Sequence, residues 1–139
     1  MKLLLAKVLV KDIEANRYLI LRSSVWPENP RRSLKPDLPG GVIEAGETTP
    51  TGLLRELQEE TGIVASADNL TLIMQVEESH DSKDYERSLY LYETSSPKVV
   101  LSWEHDKYWW MSADEILALD IRAPYPDFFK KLREQNLLS

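Results

Sequence analysis

The segment from Leu38 to Val64, LPGGVIEAGETTPTGLLRELQEETGIV, constrains this chain more than any other stretch. It encodes a helix with both ends marked. Thr49 can act as N-cap with Pro50 at the first helical position, where a missing N–H costs nothing, and Gly62 can close the helix in a left-handed conformation. At about 100° per residue, Leu53, Leu54 and Leu57 share one side, which sets the stripe that faces a core. Glu56, Glu59 and Glu60 fall together on the neighbouring side at i, i+3 and i+4. Gly52 lies one turn earlier on that acidic side and removes a side chain where a ligand can approach, at a cost of about 1 kcal/mol in helix propensity.

Like charges at these spacings repel, so the acidic face needs a reason. Most charge runs are solvated faces, and lysine or glutamine would solvate this one without the penalty. Converging carboxylates are what Mg²⁺ or Mn²⁺ requires, because both are hard cations that prefer oxygen ligands. Local geometry alone leaves the solvated face and the metal site both open.

The rest of the chain narrows the class. With 139 residues, 42% hydrophobic and 29% charged, it fits one compact domain over residues 1–139, without low-complexity tracts or repeats. A formal net charge of −6 argues against a nucleic-acid polymer as partner, while a divalent cation can still bridge this chain to a small phosphorylated ligand. Cysteine is absent, which excludes disulfides and thiolate metal sites. The opening MKLLLAKVLV is too short to span a bilayer and lacks the features of a signal peptide, so no membrane role and a cytoplasmic location are expected.

Hydrophobic periodicity places strands at Leu3 to Val10 and Arg17 to Leu21 around a polar turn, then a proline-rich surface loop, Trp26 to Asp37. A short strand-like Val42-Ile43 and a turn at Ala45-Gly46 precede the acidic helix. Further strands are expected at Asn69–Glu77, Ser88–Glu93, Val99–Leu101 and Lys107–Met111. Ser112 and Glu115 form a capping box for a short helix to about Leu119, and an amphipathic helix from about Asp127 to Asn136 turns Phe128, Phe129 and Leu132 inward. Strands interleaved with about three helices predict an α/β fold, a mixed sheet covered by helices on both faces.

Gly41, Glu47, Arg55-Glu56-Leu57, Glu59-Glu60 and Gly62-Ile63 resemble the Nudix box, G-x5-E-x7-R-E-U-x-E-E-x-G-U with U a bulky aliphatic, without departure. Seven fixed residue types at average usage give a chance match on the order of 10⁻⁸ per starting position. The resemblance implies the α/β/α sandwich of Nudix hydrolases and a loop–helix–loop over the box. It further implies metal-dependent hydrolysis of a nucleoside diphosphate linked to another moiety, with Mg²⁺, or Mn²⁺, neutralising charge as water attacks phosphorus. On that basis Glu59 and Glu60 are leading metal ligands, the Gly41 carbonyl is a further one, and Glu56 is a ligand or the base. Arg55 and Glu47 would pair to hold loop against helix. Glu44 is expected to be a solvated carboxylate.

Outside the box, Glu104-His105-x-x-Tyr108-x-Trp110 is similar to an element of some nucleotide-cleaving branches, including dihydroneopterin triphosphate pyrophosphohydrolases. It nominates Glu104 as additional metal ligand or base; His105 is expected to be a packed loop histidine outside the site. Glu77, Glu78, Asp81 and Asp84 around His80 are read as a polar loop between strands. Trp26, Tyr85, Trp103 and the Tyr108–Trp110 run offer aromatic surface to a base, with at least one face of that run in the core. Arg31, Arg32 and Lys35 stand where cations can meet substrate phosphates, although an exposed basic loop explains them as well.

Two substrate markers are missing. The proline that ADP-ribose pyrophosphatases of the family carry some fifteen residues after the box has no counterpart in Glu77 to Ser82, and neither does the tyrosine of diadenosine polyphosphate hydrolases. The expected activity is therefore a nucleoside triphosphate pyrophosphohydrolase releasing a monophosphate and pyrophosphate. An ADP-ribose or nucleotide-sugar pyrophosphatase is the alternative, and a non-catalytic nucleotide-sensing module is the alternative from another class. Sensors can lose the box acids, and this chain retains them. Nothing in the chain decides between monomer and homodimer.

Overall fold

In the computed structural model, which describes residues 2–95 and 97–139, the opening apolar run becomes β1 (Lys2–Asp12), the central strand of a seven-stranded mixed sheet among the described residues. A four-residue turn returns the chain as β2 (Arg17–Ser23), antiparallel through Lys11↔Tyr18 and Asp12↔Arg17. β3 (Pro36–Asp37) adds to β2, and β4 (Gly40–Val42) pairs antiparallel with β1 from Leu5↔Val42 to Lys7↔Gly40. One flank of β1 is thus shared between β2 at its C-terminal end and β4 nearer its start, which holds the Gly40-Gly41 backbone beside Lys7.

The other flank of β1 carries β6 (Lys83–Thr94) in parallel along its whole length. β5 (Leu70–His80) forms an antiparallel hairpin with β6, with a bulge between Leu72 and Met74, and β7 (His105–Met111) pairs with β2. The acidic cluster around His80 therefore lies at the tip of this hairpin, where Lys83 pairs with His80, and not in a loop between strands. Only Asp81 and Ser82 form the turn, both at positive φ.

Alternation along β1 and β2 divides the core between the two sheet faces. Ala6, Val8, Val10, Leu19 and Leu21 pack with Leu53 and Leu57 of α1 (Thr49–Thr61). Leu9, Tyr18 and Ile20 pack on the opposite face with α2 (Ala113–Leu117) and α3 (Tyr125–Glu134), including Phe128, Phe129 and Leu132. Each fully buried leucine in these layers contributes about 2 kcal/mol of transfer free energy. This is the expected sandwich, a mixed sheet between helices.

Three local expectations are corrected. Thr48, not Thr49, caps α1: its backbone is extended at φ −77° and ψ 158°, and its hydroxyl accepts the Thr51 N–H. Pro50 is then the second helical residue, where it still has no intrahelical N–H to forfeit. Val99 to Leu101 forms no strand; the Val100 and Ser102 N–H groups donate instead to the Thr61 and Glu60 carbonyls, satisfying the C-terminal end of α1. The last helix runs Tyr125–Glu134, two residues earlier at both ends, with Tyr125 itself fully buried. No helix among the described residues is long and apolar enough to cross a membrane.

Candidate active site

The box folds as loop, helix and loop around one guanidinium. Arg55 donates from Nε to Glu47 Oε2 at 2.8 Å and from Nη2 to Glu47 Oε1 at 3.0 Å. Glu47 Oε1 also accepts the Glu44 N–H at 3.0 Å. The Arg55 contact, aided by that N–H, holds the Glu47 carboxyl below its usual range. Arg55 Nη1 reaches Glu59 Oε2 at 3.2 Å, and Nη2 also lies 3.6 Å from Glu56 Oε1, so the cation offsets part of the repulsion along the acidic face. Glu44 is exposed and touches Arg55 only at 3.8 Å. Gly52 serves packing rather than ligand approach, a correction to the sequence reading: a Cβ there would stand 2.8 Å from Ile43 Cδ1 and 3.0 Å from Glu47 Oε1.

Glu60 is 2% exposed and accepts the Gly40 N–H at 3.1 Å. Burial pushes its carboxyl up to about 8, against the pull of Lys7 and the Gly40 N–H and with a further push from neighbouring Glu56. Gly40 holds φ 125°, and a Cβ there would lie 2.1 Å from the Ala6 carbonyl oxygen, so only glycine lets β4 sit this close to β1. At Gly41 the nearest atom to such a Cβ is Glu56 Oε1, at 3.4 Å. Glycine backbone and acidic helix face each other directly.

Lys7 is buried beneath this contact. Its Nζ donates to Asp37 Oδ2 at 3.2 Å and to the Leu38 and Gly40 carbonyls, each at 3.0 Å. Burial would push the Asp37 carboxyl up, but Lys7, Arg122 at 3.6 Å and the Leu38 N–H together hold it below its usual range. Glu60, Glu56, Gly40, Gly41, Lys7 and Asp37 line one cleft of about 450 Å³. Glu104 enters the same cleft from the start of β7, with Arg32 Nη2 3.6 Å from its Oε2. Arg32, Arg87 and Arg122 complete the cationic lining, and Tyr125 accepts a hydrogen bond from Arg87 at 3.1 Å.

A NUDIX domain model matches residues 5–132. The chain belongs to the Nudix family. This Nudix chain is 30% identical to the MutT protein of Methanosarcina mazei Go1, with 97% of this chain and 95% of that one superposed at a TM-score of 0.80. The E. coli dihydroneopterin triphosphate pyrophosphohydrolase shares the fold at 23% identity and TM-score 0.71, over 95% of each chain. A MutT-like protein of Streptomyces ambofaciens is 57% identical over 35 residues, 25% of this chain. The match spans 23% of that relative's length.

Within the Nudix chain, the cleft gathers Gly41, Glu56, Glu60 and Glu104, while Glu59 lies outside its lining, turned toward Arg55. No group of three His, Cys, Asp or Glu side chains among the described residues is drawn close enough to hold an ion as it stands. The donor chemistry nonetheless fits a hard dication: two neighbouring carboxylates, one of them buried and raised by that burial, beside the glycine backbone of Gly40 and Gly41. The Glu59 carboxylate is half exposed and accepts from Arg55 at 3.2 Å.

His105 is 3% exposed and burial pulls it down to about 4; it does not line the cleft, although Asp37, Lys7 and Arg32 of the cleft lie within electrostatic reach. Trp26 packs 5.0 Å from Trp103 and receives the Arg32 guanidinium at 4.1 Å, at one edge of the loop. Lys7, Asp37, Arg87, Arg122 and Tyr125 are cleft residues that sequence reasoning missed. A lysine inside an otherwise apolar strand was the available signal for Lys7; the others carried none.

Proposed function

We propose that this chain is a divalent-metal-dependent Nudix hydrolase that cleaves a nucleoside triphosphate to a monophosphate and pyrophosphate, with residues 1–139 acting as one domain. One observation carries the reading: the carboxylates of Glu56, Glu60 and Glu104 share a cleft with Lys7, Arg32, Arg87 and Arg122. Acids there suit a cation, and guanidinium groups beside them suit phosphate oxygens.

Glu56, Glu60 and the Gly41 carbonyl would hold Mg²⁺ or Mn²⁺, with Glu104 and, after it leaves Arg55, Glu59. The ion when bound supplies charge neutralisation at the phosphoryl oxygens. The chain does the remainder. Arg55 and Glu47 fix the loop against α1, so the Gly41 carbonyl and the Glu56 carboxylate keep their spacing. Glu56 or Glu104 takes the proton of the attacking water. The water oxygen bonds to phosphorus, the bridging P–O bond breaks, and pyrophosphate leaves with the electron pair of that bond. Arg32 and Arg122 neutralise the leaving oxygens.

The test is product analysis with Mg²⁺ and a panel of canonical and oxidised nucleoside triphosphates, dihydroneopterin triphosphate, ADP-ribose, nucleotide sugars and dinucleoside polyphosphates. Pyrophosphate plus one monophosphate is expected. Two monophosphates would replace this reading with an ADP-ribose or nucleotide-sugar pyrophosphatase, and tight binding without cleavage would make the chain a sensor.

A further inference from the structure

A second cavity of about 370 Å³ lies beside the cleft and shares Arg32, Asp37 and Arg122 with it. Arg31 and Lys35 line this cavity alone, so four cations surround it against two acids, Asp37 and Asp120. Asp37 is already committed to Lys7. The bias is notable in a chain of net charge −6, where acids outnumber bases 23 to 17.

Two of these cations, Arg31 and Lys35, stand apart from an ion-paired loop, whereas Arg32 lies 3.6 Å from Glu104 and Arg122 lies 3.6 Å from Asp37. Among the described residues, no carboxylate lies within ion-pair reach of Arg31 or Lys35, although acidic partners are plentiful in the chain. Arg32 Nε is buried without a hydrogen-bond partner, a donor whose desolvation is not repaid inside the protein. Arg122, on the connection between α2 and α3, brings a cation from a distant part of the sequence to the same wall. A concave wall with an excess of one sign focuses potential, so exposed cations act on an anion there more strongly than they would on a flat surface.

From this arrangement we propose that the second cavity is a subsite for a phosphate group beyond the scissile linkage, making the preferred substrate a nucleotide with at least three consecutive phosphates. The inference rests on the main cleft being the place where the diphosphate is cleaved. Arg32 and Arg122, common to both cavities, then hold the phosphoryl oxygens between the cleaved bond and the terminal phosphate. Arg31 and Lys35 take the terminal phosphate itself. Diphosphate-linked substrates such as ADP-ribose place a sugar where that phosphate would sit and leave both cations unmatched.

Two measurements on the full chain test it, comparing wild type with the Arg31→Ala/Lys35→Ala double variant. Isothermal titration of metal-free protein with inorganic tripolyphosphate should show affinity about tenfold weaker in the variant, as expected for two lost charge-assisted contacts. With Mg²⁺, the ratio of kcat/KM for a nucleoside triphosphate to that for ADP-ribose should fall about tenfold. Matching melting temperatures establish that both proteins are folded, which is expected because neither side chain has a partner to lose. Unchanged tripolyphosphate affinity, or a fall of both kcat/KM values together, overturns the subsite. Variant-sensitive tripolyphosphate binding without hydrolysis of any substrate would support the subsite while removing the hydrolase reading. Triphosphate hydrolysis at an unaltered ratio would do the opposite.

Discussion

Arg55 grips Glu47 through two parallel hydrogen bonds of 2.8 and 3.0 Å, joining the loop before α1 to the helix eight residues later. A lysine offers a point charge in place of this planar fork. Arg55→Lys should therefore lower kcat by tenfold or more through misplacement of Gly41 and Glu56, while KM changes less. Steady-state kinetics on the best panel substrate checks this.

The same pair predicts a pH dependence of stability. The folded-state carboxyl of Glu47 is depressed below its ordinary value of 4.5, so its contribution is complete above that value and is lost as pH falls through the folded value. The melting temperature of Glu47→Gln should lie below wild type at pH 7, and the gap should close as pH drops beneath about 4.5. Thermal melts across pH 3 to 7 decide it; a gap that is constant with pH would remove the electrostatic account.

Glu60 has the opposite sign. Its carboxyl is raised from 4.5 to about 8, so ionisation opposes folding: the penalty is absent below the unfolded value and reaches its full size above the folded one. In metal-free protein, Glu60→Gln should melt higher than wild type at pH 8.5, with the difference shrinking toward pH 4.5. The glutamine carbonyl still accepts the Gly40 N–H, and its amide can donate to Glu56. Mg²⁺ should raise the melting temperature of wild type and leave the variant nearly unmoved.

Lys7 is the buried cation between Asp37 and the Gly40 carbonyl. Lys7→Met leaves Asp37 with Arg122 and the Leu38 N–H, and removing one partner of a buried pair typically costs about 3–5 kcal/mol. Adding Asp37→Asn should recover a large part of that loss, because asparagine can still accept the Leu38 N–H. Urea denaturation of the single and double variants measures the coupling; additive losses would mean that the pair is not the source.

Glu59 and Glu104 separate by the size of their effects. Glu59→Gln should reduce Mg²⁺-dependent turnover by orders of magnitude with the fold intact, and wild-type rates would end its assignment as a ligand. Glu104→Gln should weaken turnover less. An unchanged rate would leave Glu104 as a partner of Arg32 only.

Local chemistry made much of this protein legible from its residues. The leucine stripe, the Gly62 stop, the Ser112–Glu115 capping box and the box glutamates are each decided within a turn or two of chain. Hence their positions and the sheet between helices could be read directly, with the α1 cap displaced by one residue. Val99 to Leu101 was misread because an extended apolar triplet carries no record of its partner, and the nearest unsatisfied groups belonged to the end of α1. Gly52 was misread because its neighbour, Ile43, arrives through a turn that the helix wheel does not contain.

The acidic helix and its capping belong to the sequence by itself, since repulsion, propensity and spacing operate over a few residues. The cleft belongs to the tertiary structure. Lys7, Asp37, Glu104 and Arg122 are separated by up to 115 positions and meet only because β1 exchanges β2 for β4 along one edge while β7 and the α2–α3 connection close over it. Burial then acts on both charges: it raises Glu60 despite the nearby Lys7, whereas at Asp37 Lys7, Arg122 and the Leu38 N–H together outweigh it. Such differences depend on distance and desolvation, and neither exists until the chain is folded.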